Sequence, residues 1–411
     1  MRRLLNVITI MLTFLVFAGL QSVQATPRQL VIVVADGLSP QVVDFGTSYL
    51  KKAFDIEETV GFEDLKAQGK VQTSGTGSLS SLRGVLKLAA ANGYKTGLVT
   101  TGNVATVAPL YFDLQSNGVD AVRPLIADSK VDFLAGGGRS DFVSSKIPGS
   151  KRTDDFDAAK TLRDAGGTVY FNAESLDEEA KGRVLALQSE DELSYAIDRD
   201  EESQAGFDDL VSLALETLGG ENNAPFVLVV HDTLLAKALA VKDTPAVVEQ
   251  FHTIDNIVSD LLTRREDNPA DFGIALLGTG GAVAPRFTAE KADELANAIF
   301  ILSNLPLSYT GAGAKLKGAD EATLVDFATE QYKGWKVSPE NRSGILAGTI
   351  SPEAAIRASY ESAVKVSYEA VPSESRVYAV GITGDDVVQA INQVVGSKPG
   401  QPTLTAQASI Q

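Results

Sequence analysis

Two histidines serve the whole chain of 411 residues, and one of them, His231, stands where an imidazole could do chemistry. It follows the apolar run 226–230 (FVLVV) and has Asp232 beside it, while Asp36 closes a similar run, 30–35 (LVIVVA), just ahead of Gly37. An imidazole and carboxylates are ligand types for a divalent cation such as zinc or magnesium, so Asp36 and His231 together could hold a single ion. A catalytic zinc usually takes three protein ligands and keeps one open position, which sets the standard that this pair has to meet. The other reading of His231 is a polar residue that closes a strand end by bonding to nearby backbone. His252 lies in the helical stretch EQFHTIDNIV and reads as packing or surface. The run 136–139 (GGGR) also has two readings: glycines that let backbone approach an anion, with Arg139 as the charged contact, or a tight turn after a strand.

The elements that must position these residues are visible as apolar runs without polar alternation: 30–35, 96–101 (TGLVTT), 131–135 (VDFLA), 226–230 and 272–277 (FGIALL). Such strands are buried on both faces. Helical patterns at 81–92, 207–218 and 247–264 lie between them, which predicts an α/β fold with a predominantly parallel sheet sandwiched by helices on both faces. Ligands of such sheets sit beyond the carboxyl ends of the strands, where Asp36, His231 and the triple glycine fall. The acidic stretch 154–202 reads as a surface excursion. Beyond Lys333, a helical stretch at 351–368, a strand-like VYAVGIT at 377–383 and a helix at 385–395 predict that residues 334–411 either extend the same sheet or form a small appended subdomain, with a polar tail after Gly396.

Residues 1–25 carry Arg2 and Arg3, an apolar run from 4 to 20 broken only by Asn6, Thr9 and Thr13, and the small-residue exit Val23-Gln24-Ala25. That is the layout of a signal peptide cleaved after Ala25, and the run is shorter than the roughly 20 apolar residues of a membrane span. The expected product is exported, periplasmic or secreted, with no membrane span. With no cysteine in the chain, disulfides are excluded, and stability outside the cytoplasm has to come from core packing. A net charge of -17 repels nucleic acid and other polyanions.

Five segments resemble the alkaline phosphatase family, in that family's order, over roughly 29–327. IVVADGLSP from Ile32 resembles the opening strand and Asp-Gly turn. TGLVTTGNVATVAP (96–109) resembles a stretch that reads about TGLVTTTRITHATPA, and VDFLAGGGR (131–139) is similar to DVILGGGR. LSYAIDRDEESQAGFDDLVSLALETL followed by FVLVV (193–230) resembles the lead into a strand that ends in a metal-binding glutamate. TGAGAKLKG (310–318) resembles the family's GPGA loop. The resemblance implies two-metal phosphoryl transfer: two zinc ions about 4 Å apart align attacking and leaving oxygens, a Ser or Thr hydroxyl attacks, and an arginine clamps the phosphoryl oxygens.

Carried over residue by residue, the family's bridging aspartate is Asp36. Counting back from Gly69 places Glu58-Thr59-Val60 on the family's Asp-Ser-Ala, so Thr59 is either the nucleophile or a helix N-cap. The metal-binding threonine falls on Ala108, and the clamping arginine on Val119, with Arg123 as the nearest substitute. Where the family has Glu, Asp and His after the strand that ends at Val230, this chain has His231, Ala236 and Ala240. After Leu277, in place of Ala-Asp-His, it reads Gly278-Thr279-Gly280-Gly281. No histidine follows His252, so the ligand near the GPGA-like segment is missing in any alignment.

The resulting expectation is an exported family member with a degenerate metal site: a pseudophosphatase with little or no turnover and no cofactor, whose ligand, if any, is a small phosphoester or phosphate. The alternative is a phosphomonoesterase that uses Asp36, Thr59 and His231 around one zinc or magnesium ion. A secreted structural or surface-layer component is a third reading.

Overall fold

The continuous apolar runs become the central strands of one sheet. The computed structural model describes residues 26–401 apart from 75–78, 129, 178, 221, 333–334, 336, 373 and 383–385; the expected signal segment lies outside them. The strands are β1 (Gln29–Gly37), β2 (Lys70–Ser74), β3 (Lys95–Asn103), β4 (Phe133–Gly137), β5 (Thr168–Tyr170), β6 (Val184–Ser189), β7 (Phe226–Asp232), β8 (Phe272–Gly280), β9 (Val283–Phe287), β10 (Val366–Ala370) and β11 (Ser375–Val380). Nine form a sheet in the order β2-β11-β8-β1-β7-β3-β4-β6-β5, in which β11 alone runs antiparallel to its neighbours.

Both faces are covered, which is why the runs lack polar alternation. Val31, Val33 and Ala35 of β1 pack into one layer with α1 (Pro40–Ala53), α2 (Gly61–Gln68), α5 (Phe207–Gly219), α6 (Leu234–Val241) and α7 (Thr244–Asp267). Leu30, Ile32 and Val34 face the other layer, built from α3 (Val85–Ala91), α4 (Val104–Phe112) and α11 (Val387–Val395). The intervening α8 (Ala292–Ser303), α9 (Tyr309–Lys315) and α10 (Pro352–Val364) lie between β9 and β10, which pair antiparallel in a second, two-stranded sheet. Part of this helical insertion has an apolar core of its own, centred on Tyr309, Phe327, Tyr332, Trp335 and Ile356.

Three local expectations are corrected. The acidic stretch 154–202 contributes β5 and β6 to the main sheet, because the buried core Val184–Leu187 of β6 outweighs the charge on either side of it. The helical stretch 351–368 breaks at Lys365, whose left-handed φ of 50° ends α10 and turns the chain into β10. The GPGA-like segment forms helix α9 instead of an open loop. No helix among the described residues is long and apolar enough to cross a membrane.

Candidate active site

Strand register decides which side chains meet at the carboxyl edge. Asp36 pairs with Thr279 of β8, and Val34 pairs with His231 of β7. Because side chains alternate along a strand, Asp36, His231 and Thr279 all project to the face of Leu30, Ile32 and Val34, the face that α4 covers. There Tyr111 of α4 meets His231 edge-on, its hydroxyl 3.0 Å from Nδ1. His231 Nε2 is 3.1 Å from Asp36 Oδ2, and the Thr279 hydroxyl donates to Asp36 Oδ1 at 2.9 Å while accepting from the Gly37 amide at 3.3 Å. The four side chains form a single row.

With the imidazole neutral, the protons in the row have one consistent arrangement. Burial pushes the Tyr111 phenol well above its usual range, with the Asp36 charge adding to the effect, so the hydroxyl keeps its proton and donates it to Nδ1. A neutral imidazole has one donor and one acceptor nitrogen, so Nε2 carries the hydrogen and donates to the carboxylate. Both ring nitrogens and both Asp36 oxygens are then engaged. His231 is 6% exposed and Asp36 24%, so the row is closed at the imidazole and partly open at Asp36 and Thr279.

Asp232, the sequence neighbour of His231, points to the opposite face. Its carboxylate accepts from Thr101 Oγ1 (3.1 Å), Gln250 Nε2 (2.7 Å) and the Leu235 amide (2.9 Å), which fixes the start of α6. Burial pushes its carboxyl up to about 6 against the pull of those donors. Adjacency in sequence therefore separates Asp232 from Asp36 by the thickness of the sheet.

The remaining candidates are engaged elsewhere. Arg139 donates to Glu190 (Nε, 2.9 Å) and lies over Phe171; Gly136 and Gly138, both at positive φ, make the turn that precedes it. Arg123 lies over Phe156, with its guanidinium 3.4 Å from Asp154. The carbonyl of Val119 accepts from Arg152, a buried arginine that also binds Asp154. Thr59 donates to Asp64 at 2.5 Å, and the N-terminal amides of α2 at Gly61 and Phe62 donate to Asp255 of α7 at 3.1 and 2.8 Å. Thr59 is thus not the helix cap; Asp255 is the side chain that accepts those amides. His252 packs against Phe54 with ring centres 4.7 Å apart and planes tilted by 40°. Sequence reasoning missed Tyr111, Thr279 and Gln250; a lone phenol in the apolar helix VATVAPLYF was the one available signal.

The donor set does not fit a two-zinc centre. The only imidazole at the carboxyl edge has its acceptor nitrogen occupied by Tyr111, and among the described residues no cluster of three or more His, Asp or Glu is spaced to hold a metal ion. Neighbouring backbone also crowds the end of β8, where the family's Ala-Asp-His would stand. A Cβ on Gly278 would lie 2.3 Å from the Leu38 carbonyl oxygen, and one on Gly280 would lie 2.5 Å from the Glu374 nitrogen.

Comparison with known proteins agrees with this architecture. The sequence model of the alkaline phosphatase family matches residues 57–260. An alkaline phosphatase of the fission yeast Schizosaccharomyces pombe is 30% identical over 151 residues, a match that spans 34% of this chain and 28% of that protein's length. The crystal structure of Thermus thermophilus alkaline phosphatase superposes with a TM-score of 0.71 at 16% identity, covering 93% of this chain and 94% of that one. The cold-active alkaline phosphatase of a Shewanella species gives 0.67 at 14% identity, covering 89% and 98%. At such identities the structural likeness establishes the fold.

Proposed function

The chain belongs to the alkaline phosphatase family, and from that premise we propose that it is an exported pseudophosphatase with little or no phosphomonoester turnover. One observation carries this reading. The Asp36 carboxylate, in the place of the family's bridging ligand, is bonded to an imidazole N–H and a threonine hydroxyl. The family's divalent metals supply a Lewis acid and an activated nucleophile. Here Ala108, Ala236, Ala240 and Gly280 carry no side-chain donor atoms in the positions of four of the family's ligands. Arg139 and Arg123 are paired with Glu190 and Asp154, so a small phosphoester or phosphate would compete with a carboxylate of the same chain for either guanidinium. The layout of residues 1–25 supports export.

The test is hydrolysis of an aryl phosphate by purified protein before and after addition of zinc and magnesium. Background rates in every condition are expected. Turnover that depends on metal and is abolished by Asp36→Ala would overturn the reading in favour of a single-metal phosphomonoesterase, which the 3.1 Å approach of His231 to Asp36 alone favours.

A further inference from the structure

We propose that the row Tyr111, His231, Asp36 and Thr279 is a metal-free joint that takes the structural place of a bridging dication, and that the chain has closed around it so firmly that restoring lost ligands does not recruit zinc. The proposal rests on the metal-poor reading of the cleft, and does not depend on whether the protein turns over a substrate.

A dication shared by ligands from several strands does two structural things: it neutralises carboxylates at the strand ends, and it ties those ends together. The row does both. Its members come from four elements, α4, β7, β1 and β8, and the contacts of 3.0, 3.1 and 2.9 Å run from one side of the site to the other without a break. The Asp36 carboxylate is stabilised by hydrogen bonds to a charged acceptor, which are stronger than neutral ones. His231 therefore stands against the carboxylate as a donor, in the direction from which a cation would approach it.

Packing beside the row blocks the reverse change. Leu38 and Glu374 backbone atoms occupy the space that side chains at 278 and 280 would need, and Ala236 of α6 lies against the β1–α1 turn, its Cα 3.0 Å from where a Cβ on Gly37 would stand. Larger side chains at these points require backbone to move. Gly280, at a lost ligand position, is thus a contact surface of the present fold as well as a missing donor.

The experiment has two arms on the full chain. In the first, wild type and the double variant Ala236→Asp with Ala240→His are dialysed against zinc, then assayed by elemental analysis and by thermal unfolding with and without EDTA. Less than stoichiometric zinc and an unchanged Tm are expected for both; one tightly held zinc per chain in either would overturn the proposal. In the second, a double-mutant cycle of Asp36→Asn and His231→Gln is read by Tm. Each single change should lower Tm by several degrees, and the double change by less than the two together. Additive losses, or no loss, would overturn the joint. If either variant fails to fold, Tyr111→Phe and Thr279→Val, which delete one hydroxyl each, make the same cycle from the ends of the row. The arms stay distinct from the activity test: zinc bound without turnover would sink the joint and spare the pseudophosphatase reading, whereas turnover without bound metal would do the opposite.

Discussion

At the scale of single residues, a phenol hydroxyl fixes the tautomer of His231, and the site follows from that. Removing it by Tyr111→Phe leaves Nδ1 buried without a donor, a loss of about 1–3 kcal/mol that urea unfolding should register as a lower midpoint at unchanged slope. Asp198 makes a second, pH-dependent prediction. Its carboxylate accepts from the Ser308 amide and hydroxyl, yet burial, the largest influence, raises its pKa above the ordinary carboxylate range. The folded chain therefore holds that proton to higher pH than the unfolded chain does. The stability it contributes is complete below about pH 4 and is lost as pH rises through the raised value. Asp198→Asn should flatten the decline of unfolding free energy from about pH 4 upward, leaving the part due to Asp132, Asp232 and Asp255, which burial raises likewise. Asp36 and His231 were legible in sequence because each ends an apolar run. Tyr111 and Thr279 were not, since a partner one helix or one strand away is set by register and layer packing, which no local pattern encodes.

At the scale of elements, helix starts are held by carboxylates reaching in from other parts of the chain. Asp255 of α7 accepts both N-terminal amides of α2, and Asp243, itself the cap of α7, accepts the amides of Tyr309 and Thr310 at the start of α9. Asp255→Ala should cost about 1–2 kcal/mol and speed hydrogen exchange at Gly61 and Phe62, because two buried amides lose their acceptor. Faster exchange confined to α2 would locate the effect there; unchanged exchange would show that the cap is dispensable. The central strands were read within a few residues of their bounds, since burial on both faces leaves a period-free apolar signature. What escaped notice was β6, short and set among acids, and the break at Lys365, where a single left-handed residue turns one long helical pattern into a helix and a strand.

At the scale of the molecule, the sheet and the helical insertion have separate apolar cores, and the chain's one tryptophan, Trp335, is buried in the smaller. Its emission should therefore report on the insertion while far-ultraviolet circular dichroism reports mainly on the larger α/β body. A fluorescence midpoint at lower urea than the dichroism midpoint is the expected outcome, and coincident transitions would mean that the two cores melt as one unit. The fold class was readable at this scale because alternating strand and helix patterns leave few architectures open.

The reversed strand β11 lies between β2 and β8, although β2 precedes it by most of the chain. During synthesis β8 therefore presents an apolar, unpaired flank, and β2 has nothing to join, until the ribosome has delivered residues 375–380. Such late, long-range closure makes assembly slow and leaves the nascent polypeptide open to capture by chaperones or by a translocation apparatus before it can lock. A chain cut short ahead of Ser375 would keep that flank permanently bare, and aggregation, not a smaller folded core, would be its fate.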